Sequence, residues 1–452
     1  MRLSTILLIG IFSVSTAMGQ GLILSGNSHS IIEVSPEKST GLDMIYVTYG
    51  GESLDASFSF AGVSAPKWYR YSNLGGGFAE EISQVDNENG VSILRDIKPG
   101  YGYIIESGEK RYYYYIIDYS EHRLALKSLQ PSSEQDCTST ILELTGEGSP
   151  LVYYTINGQQ RSVDRELELK YETEEWDAEN ESYVKVTATK SIANFSDRIS
   201  LNPPAYCSTF FTLSGDRFLR AWGETESVES VVLNPMAIEV NTSATQESKN
   251  TSDEEEENKS NEIHGNQNGL GGSAPAEISF RAFTTEGVIH NEWQMSTDAD
   301  FENITYRITE KDLDFTFRDE GTVYVRFVGS NADGSCEAYG DTYTIEIGAS
   351  ELRCPNAFSP GASEGVNDEW KVSYKSLVDF KCWIFDRYGV QMCYFDDPSK
   401  GWDGRYKGKL VKPGVYYYVI QATGAEGKKY KKSGDINIVR FRNYNTSSGS
   451  EE

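Results

Sequence analysis

Short runs of aromatic and β-branched residues recur along this chain, alternate with polar residues, and end at Gly, Pro or Asn. Met44 to Tyr49, Ser57 to Ala61, Trp68 to Tyr71, Tyr101 to Glu106, Arg111 to Asp118 and Arg123 to Ser128 are of this kind. Gly75-Gly76-Gly77, Asn87-Glu88-Asn89-Gly90 and Pro99-Gly100 fall between them. A period of two places alternate side chains on opposite faces of a strand, and the Gly- and Pro-bearing gaps are turns. No long segment repeats its apolar residues at helical spacing. The pattern predicts an all-β chain. At 452 residues it exceeds a single hydrophobic core, so about three or four domains are expected.

The spacing of turns predicts tandem immunoglobulin-like β-sandwich domains separated by one acidic disordered linker. Residues 20–135 read as the first sandwich. Within it, Tyr112 to Tyr115 put aromatics on both faces of one strand. Such a strand is either central, with one face in the core and the other in a Tyr ladder, or an exposed aromatic platform for glycan or protein. Residues 136–240 read as a second sandwich. Leu144-Thr145-Gly146 after Cys137 is echoed by Leu213-Ser214-Gly215 after Cys207. Residues 241–275 are dominated by Asn, Ser, Thr, Glu and Gly and include Asp253-Glu254-Glu255-Glu256-Glu257. Too few apolar residues are present to offset the entropy of ordering, so a solvated linker is expected. Residues 276–349 read as a third small sandwich.

Arg2, the apolar stretch Ile6 to Val14, and Ala17-Met18-Gly19 have the layout of a secretory signal over 1–19. No later apolar run reaches the ~18–20 residues that cross a bilayer. Charge is uneven. Residues 350–452 hold 16 Lys+Arg and 13 Asp+Glu, a net of +3, so the remainder carries −30 of the formal total of −27. An acidic body repels nucleic acid and anionic membrane, and neither is expected as a partner.

Six cysteines in an exported chain permit disulfides. If Arg387-Tyr388 centre a tight hairpin, Cys382 and Cys393 face each other across it. If Tyr388-Gly389 are the centre, Cys382 faces Phe395 instead. Cys336 and Cys354 straddle a domain junction that a bridge could staple. Cys137 and Cys207 could close the second domain.

Residues 350–441 form a last β-module, followed by a tail at 442–452. In order come Cys354-Pro355-Asn356-Ala357-Phe358-Ser359-Pro360, Asp386-Arg387-Tyr388-Gly389, Gly401-Trp402-Asp403-Gly404, Pro413-Gly414-Val415-Tyr416, and a closing strand ending at Arg440. This series resembles the gliding-motility-associated C-terminal domain, the type B sorting domain of the bacterial type IX secretion system. The motif positions are Pro355, Asn356, Phe358, Pro360, Asp386, Arg387, Gly389, Gly401, Trp402, Asp403, Gly404, Pro413, Gly414, Tyr416 and Arg440. The resemblance implies export through the type IX machinery and attachment to a PorP/SprF-type outer-membrane barrel. The body then faces the cell surface, where a host or glycan ligand is a further partner. After Pro360 the sequence departs from the family loop: Gly361-Ala362-Ser363-Glu364-Gly365-Val366-Asn367-Asp368 lacks early oxygen-bearing side chains, so a cation there would be held poorly. Upstream, the Gly321 to Phe327 strand leading into Asn331-Ala332-Asp333-Gly334 resembles a PKD-like domain.

Lys428, Lys429, Lys431 and Lys432 cluster in the closing hairpin. Lysines protect a sheet edge from pairing, and they also make an electrostatic dock for an acidic partner. Recognisable catalytic chemistry is missing. His29, His122, His264 and His290 lack metal-ligand spacing. Gly361-Ala362-Ser363-Glu364-Gly365 matches a hydrolase pattern without its strand-turn-helix context. The expectation is a non-enzymatic exported surface protein with no cofactor and no metal. The alternatives are an adhesin, a component of the secretion machinery, and a surface glycan-active enzyme.

Overall fold

The computed structural model describes residues 21–26, 28–50, 53–60, 64–246, 261–263, 269–362 and 367–439. The signal segment, His264, the acidic run 253–257, Ser363 to Gly365, Arg440 and the tail lie outside the described residues. The chain divides into two compact units. The first takes in residues up to 135, 139–173 and 186–233. The second takes in 136–138, 174–185 and 234 onward.

In the first unit a four-stranded sheet runs in the order Leu22–Ser25, Asp55–Ser59, Val91–Leu94, Asp86–Glu88. A six-stranded sheet runs Ile32–Val34, Met44–Thr48, Lys110–Asp118, Tyr101–Ser107, Lys67–Tyr71, Glu80–Ile82. Phe58, Trp68, Tyr103, Ile105, Tyr114 and Ile116 fill the core that pairs these sheets. Tyr103 Oη donates to Lys98 O at 2.7 Å and accepts from Lys98 N at 3.0 Å. This is the tyrosine corner of immunoglobulin-like sandwiches.

The strand Lys110–Asp118 settles the aromatic run. Tyr114 and Ile116 enter the first core, while Tyr115 and Ile117 enter a second core with Leu129, Leu142, Leu169, Leu201 and Phe218. Both faces are covered, so Tyr112 to Tyr115 form no exposed platform. The two sandwiches expected over 20–135 and 136–240 therefore share a core inside one unit. Asp216 joins them. Its carboxylate accepts from Tyr119 Oη at 2.9 Å and Arg165 Nη1 at 2.6 Å, and it caps the helix Arg217–Trp222 through Phe218 N and Leu219 N.

In the second unit the third sandwich packs a sheet of Val240–Gln246, Ala276–Thr284 and Asp312–Phe317 against one built on His290–Ser296 and Gly321–Ser330. Phe280, Trp293, Val325, Phe327 and Ile345 fill it. Part of the span read as linker is strand. Residues 240–246 pair with Ala276–Thr284, and 270–272 pair parallel with Tyr343–Ile347. The glycines there are a packing requirement: a Cβ on Gly271 would sit 2.4 Å from Glu346 O. Asn261 is also held. Its carbonyl accepts from Tyr374 N, and its side chain donates to Val372 O at 2.6 Å and Pro398 O at 2.7 Å.

The final module is a five-stranded sheet in the order Ala357–Phe358, Lys429–Ile438, Gly414–Gly424, Leu377–Phe385, Gln391–Phe395. Its own core holds Trp370, Cys382, Ile384, Trp402, Ile420 and Ile436. Ser376 connects it to the third sandwich, donating from Oγ to Gly348 O at 2.6 Å and from N to Ser273 Oγ at 2.8 Å.

None of the three candidate disulfides forms, and a different one does. Cys137 bonds Cys336, 199 residues away. Cys207, Cys354, Cys382 and Cys393 are in no disulfide. The Cys382–Cys393 pairing fails because Cys382 faces Phe395 and Cys393 faces Ile384, with a register shift at Ile384/Phe385. Asp386 causes the offset by closing the hairpin from Asp386 N to Val390 O at 2.9 Å, with Gly389 at φ +82°. The bond to Cys137 takes Cys336 from Cys354 and Cys137 from Cys207. Cys207 is buried within the first unit's residues.

Candidate functional site

The motif residues of the final module build its turns and ends. Pro355 O accepts from Trp370 Nε1 at 2.7 Å, and Asn356 O accepts from Asn437 N at 2.8 Å. Phe358 is buried against Trp402, ring centres 5.6 Å apart. Trp402 and Trp370 exchange backbone hydrogen bonds at 3.0 and 2.9 Å, and Trp402 Nε1 donates to Arg405 O. Gly401 fits because a Cβ there would meet Trp370 O at 2.9 Å. Gly404 lies at φ +71° beside Phe358 and Pro360. Asp403 turns the chain by accepting from Arg405 N at 2.9 Å, and Asp386 does the same for Tyr388 N and Val390 N. Arg387 lies over the exposed Tyr388 ring. Tyr416 Oη donates to Lys412 O at 2.9 Å, a second tyrosine corner that spans Pro413-Gly414. This motif is a scaffold; most of its side chains face inward or into turns.

The lysine edge is different. Lys428, Lys429 and Lys431 are exposed. Lys428 lies 4.7 Å from the Tyr430 ring centre, Lys429 Nζ donates to Thr423 Oγ1 at 2.9 Å, and Lys432 Nζ is tied to Leu352 O. With Ser350, Glu351 and Leu352 they border a shallow cleft of about 440 Å³. Elsewhere in the module, Cys354 and Cys393 are half-buried and Cys382 is fully buried. Burial pushes all three thiols above the ordinary cysteine range. Few of them ionise at neutral pH, so they are poor nucleophiles.

A type IX secretion signal domain model (CHU_C) matches residues 352–438. Those residues are a type IX secretion signal domain. It gives the chain export to the cell surface or the extracellular space and contact with the type IX machinery. Upstream, a fibronectin type III domain model matches 129–230, a range whose larger part belongs to the first compact unit. No curated protein matches the chain. Among solved structures, one described for host cell surface retention of a 1.5-MDa bacterial ice-binding adhesin is 10% identical, covers 70% of this chain and 99% of its own, and has a TM-score of 0.20. Three N-terminal domains of the bacteriophage RB49 Hoc capsid protein are 10% identical, cover 71% of this chain and 100% of theirs, with a TM-score of 0.23. Dimeric latent PorU from Porphyromonas gingivalis is 11% identical, covers 73% of this chain and 35% of its own, with a TM-score of 0.15. Among the described residues no helix is long and apolar enough to cross a membrane.

Two features escaped the sequence. Asp216, which ties Tyr119 and Arg165 together across nearly a hundred residues, has no local signal. The outer face of the final sheet was legible only as alternation: Val415, Tyr417 and Val419 interleave with Tyr416, Tyr418 and Ile420, so both faces of that strand are apolar.

Proposed function

We propose that the exported chain is a non-enzymatic surface protein held at the outer membrane by a PorP/SprF-type barrel, with its sandwich domains displayed as an adhesin-like tool for a host or glycan ligand. The observation that carries this is the contrast in charge. A module of net +3, with its lysine edge facing solvent, ends a chain whose remainder carries −30. Such a module is attracted to an acidic partner while the body is not. Removing the barrel from the producing cell should move the chain from the cell to the medium; continued retention would rule the barrel out as the anchor. A strain lacking this chain should still secrete other type IX cargo. Loss of that secretion would instead make the protein a part of the machinery.

A further inference from the structure

The solvent face of an antiparallel sheet is ordinarily polar. In the final module it is not. Tyr394, Trp383 and Val419 stand side by side on three neighbouring strands, and Tyr417 and Val415 continue the patch. Val415, Tyr417, Val419 and Tyr394 are 38–46% exposed, although the opposite face of the same strands is the module's core. The Trp383 and Tyr394 rings lie 5.5 Å apart. Single exposed apolar residues are common, but a patch contiguous in register marks a surface that something covers. The next rows of the same face are basic. Lys381 and Lys431 flank Gln421; one row further, Lys429 and the exposed Asp379 flank Thr423, so lysines outnumber carboxylates three to one across these two rows. Among the described residues none of these three lysines is in an ion pair within 4.0 Å.

We propose that this open face is the docking surface for a protein partner that presents an apolar strip bordered by carboxylates. The strip covers Trp383, Tyr394, Tyr417 and Val419, and the carboxylates meet Lys429 and Lys431. The proposal rests on the retention reading above and gives the partner its chemistry. Charge selects the acidic border. Two features favour protein over an anionic lipid surface. Asp435 sits directly beside Tyr417 in the sheet; a protein can hydrogen-bond that carboxylate, whereas a bilayer boundary penalises it. The −30 body is also repelled by anionic headgroups.

The test uses the full chain in its producing cell. Tyr417→Ser with Val419→Ser removes the centre of the patch. Both side chains face away from the core, and an unchanged unfolding midpoint of the purified variant checks the fold. The variant should be exported and then shed, with the cell-bound fraction falling about tenfold or more, as loss of a central aromatic contact predicts. Lys429→Glu with Lys431→Glu, a second variant at exposed positions, should also shed. Retention of both variants at the unaltered level overturns the docking face and leaves the barrel reading standing. Trapping in the periplasm overturns it too, because the face would then be read before export. Shedding of the unaltered chain overturns the retention reading, and this proposal with it. Purified full chain mixed with phosphatidylglycerol vesicles should not float with them. Flotation that the Tyr417→Ser, Val419→Ser variant loses would assign the face to lipid instead.

Discussion

The two compact units solve the same problem in opposite ways. In the first, residues on both sides of position 135 pour into one core, and Lys110–Asp118 is covered on both faces. In the second, the third sandwich and the final module keep separate cores, and among the described residues the module lends the sandwich's core Ala425, with Val378 packed against it. Cooperativity follows the core. A shared apolar core makes two domains unfold together, whereas a small polar junction leaves each with its own stability. A module that must be recognised as a folded address gains from such independence.

The most damaging single change should be Asp216→Ala. It strands Arg165, fully buried, and removes the acceptor of Tyr119. Breaking a buried pair costs about 3–5 kcal/mol, and both halves of the first unit should lose their fold in one transition. Two separate transitions on denaturant titration would break the contrast. In the second unit, Phe280→Ala should cost the third sandwich about 3–5 kcal/mol while the final module keeps its own midpoint. Ser376→Ala should cost less, about 1–3 kcal/mol for the partners left unmade, and should widen the gap between those two transitions.

A pH titration sharpens the contrast further. Burial, with the Arg165 charge nearby, pushes His122 below the usual imidazole range. The unfolded chain then takes up the proton first, so the stability of the first unit rises with pH through the window below about 6.5 and falls on acidification. His122→Asn should flatten that slope; an equal slope in the variant would exclude His122 as its source. The smallest effect is expected for Lys431→Ala, within about 0.5 kcal/mol, because the residue is exposed on the module's open face.

Much of the fold was legible because strand alternation is local. The runs at Met44, Trp68, Tyr101 and Arg111 became strands near their expected bounds. Fusion of the first two sandwiches was not legible, since Leu129, Leu142 and Leu201 read the same whether their core is private or shared. Glycines at 269–272 read as linker because composition cannot tell a spacer from a strand pressed against Glu346. The Cys382–Cys393 pairing turned on where the hairpin is centred: with Gly389 in the turn at φ +82°, Cys382 faces Phe395, the second of the two registers the sequence allowed. The sorting motif was legible as a series, but most of its residues turned out to be scaffold, leaving the contact surface to the lysines and the open sheet face between them.

Protease accessibility on intact cells, with and without residues 350–452, tests the central claim most directly. Full-length chain should be cleaved from outside, and truncated chain should be protected. Protection of both, or cleavage of both, would contradict the role of the final module as the export address.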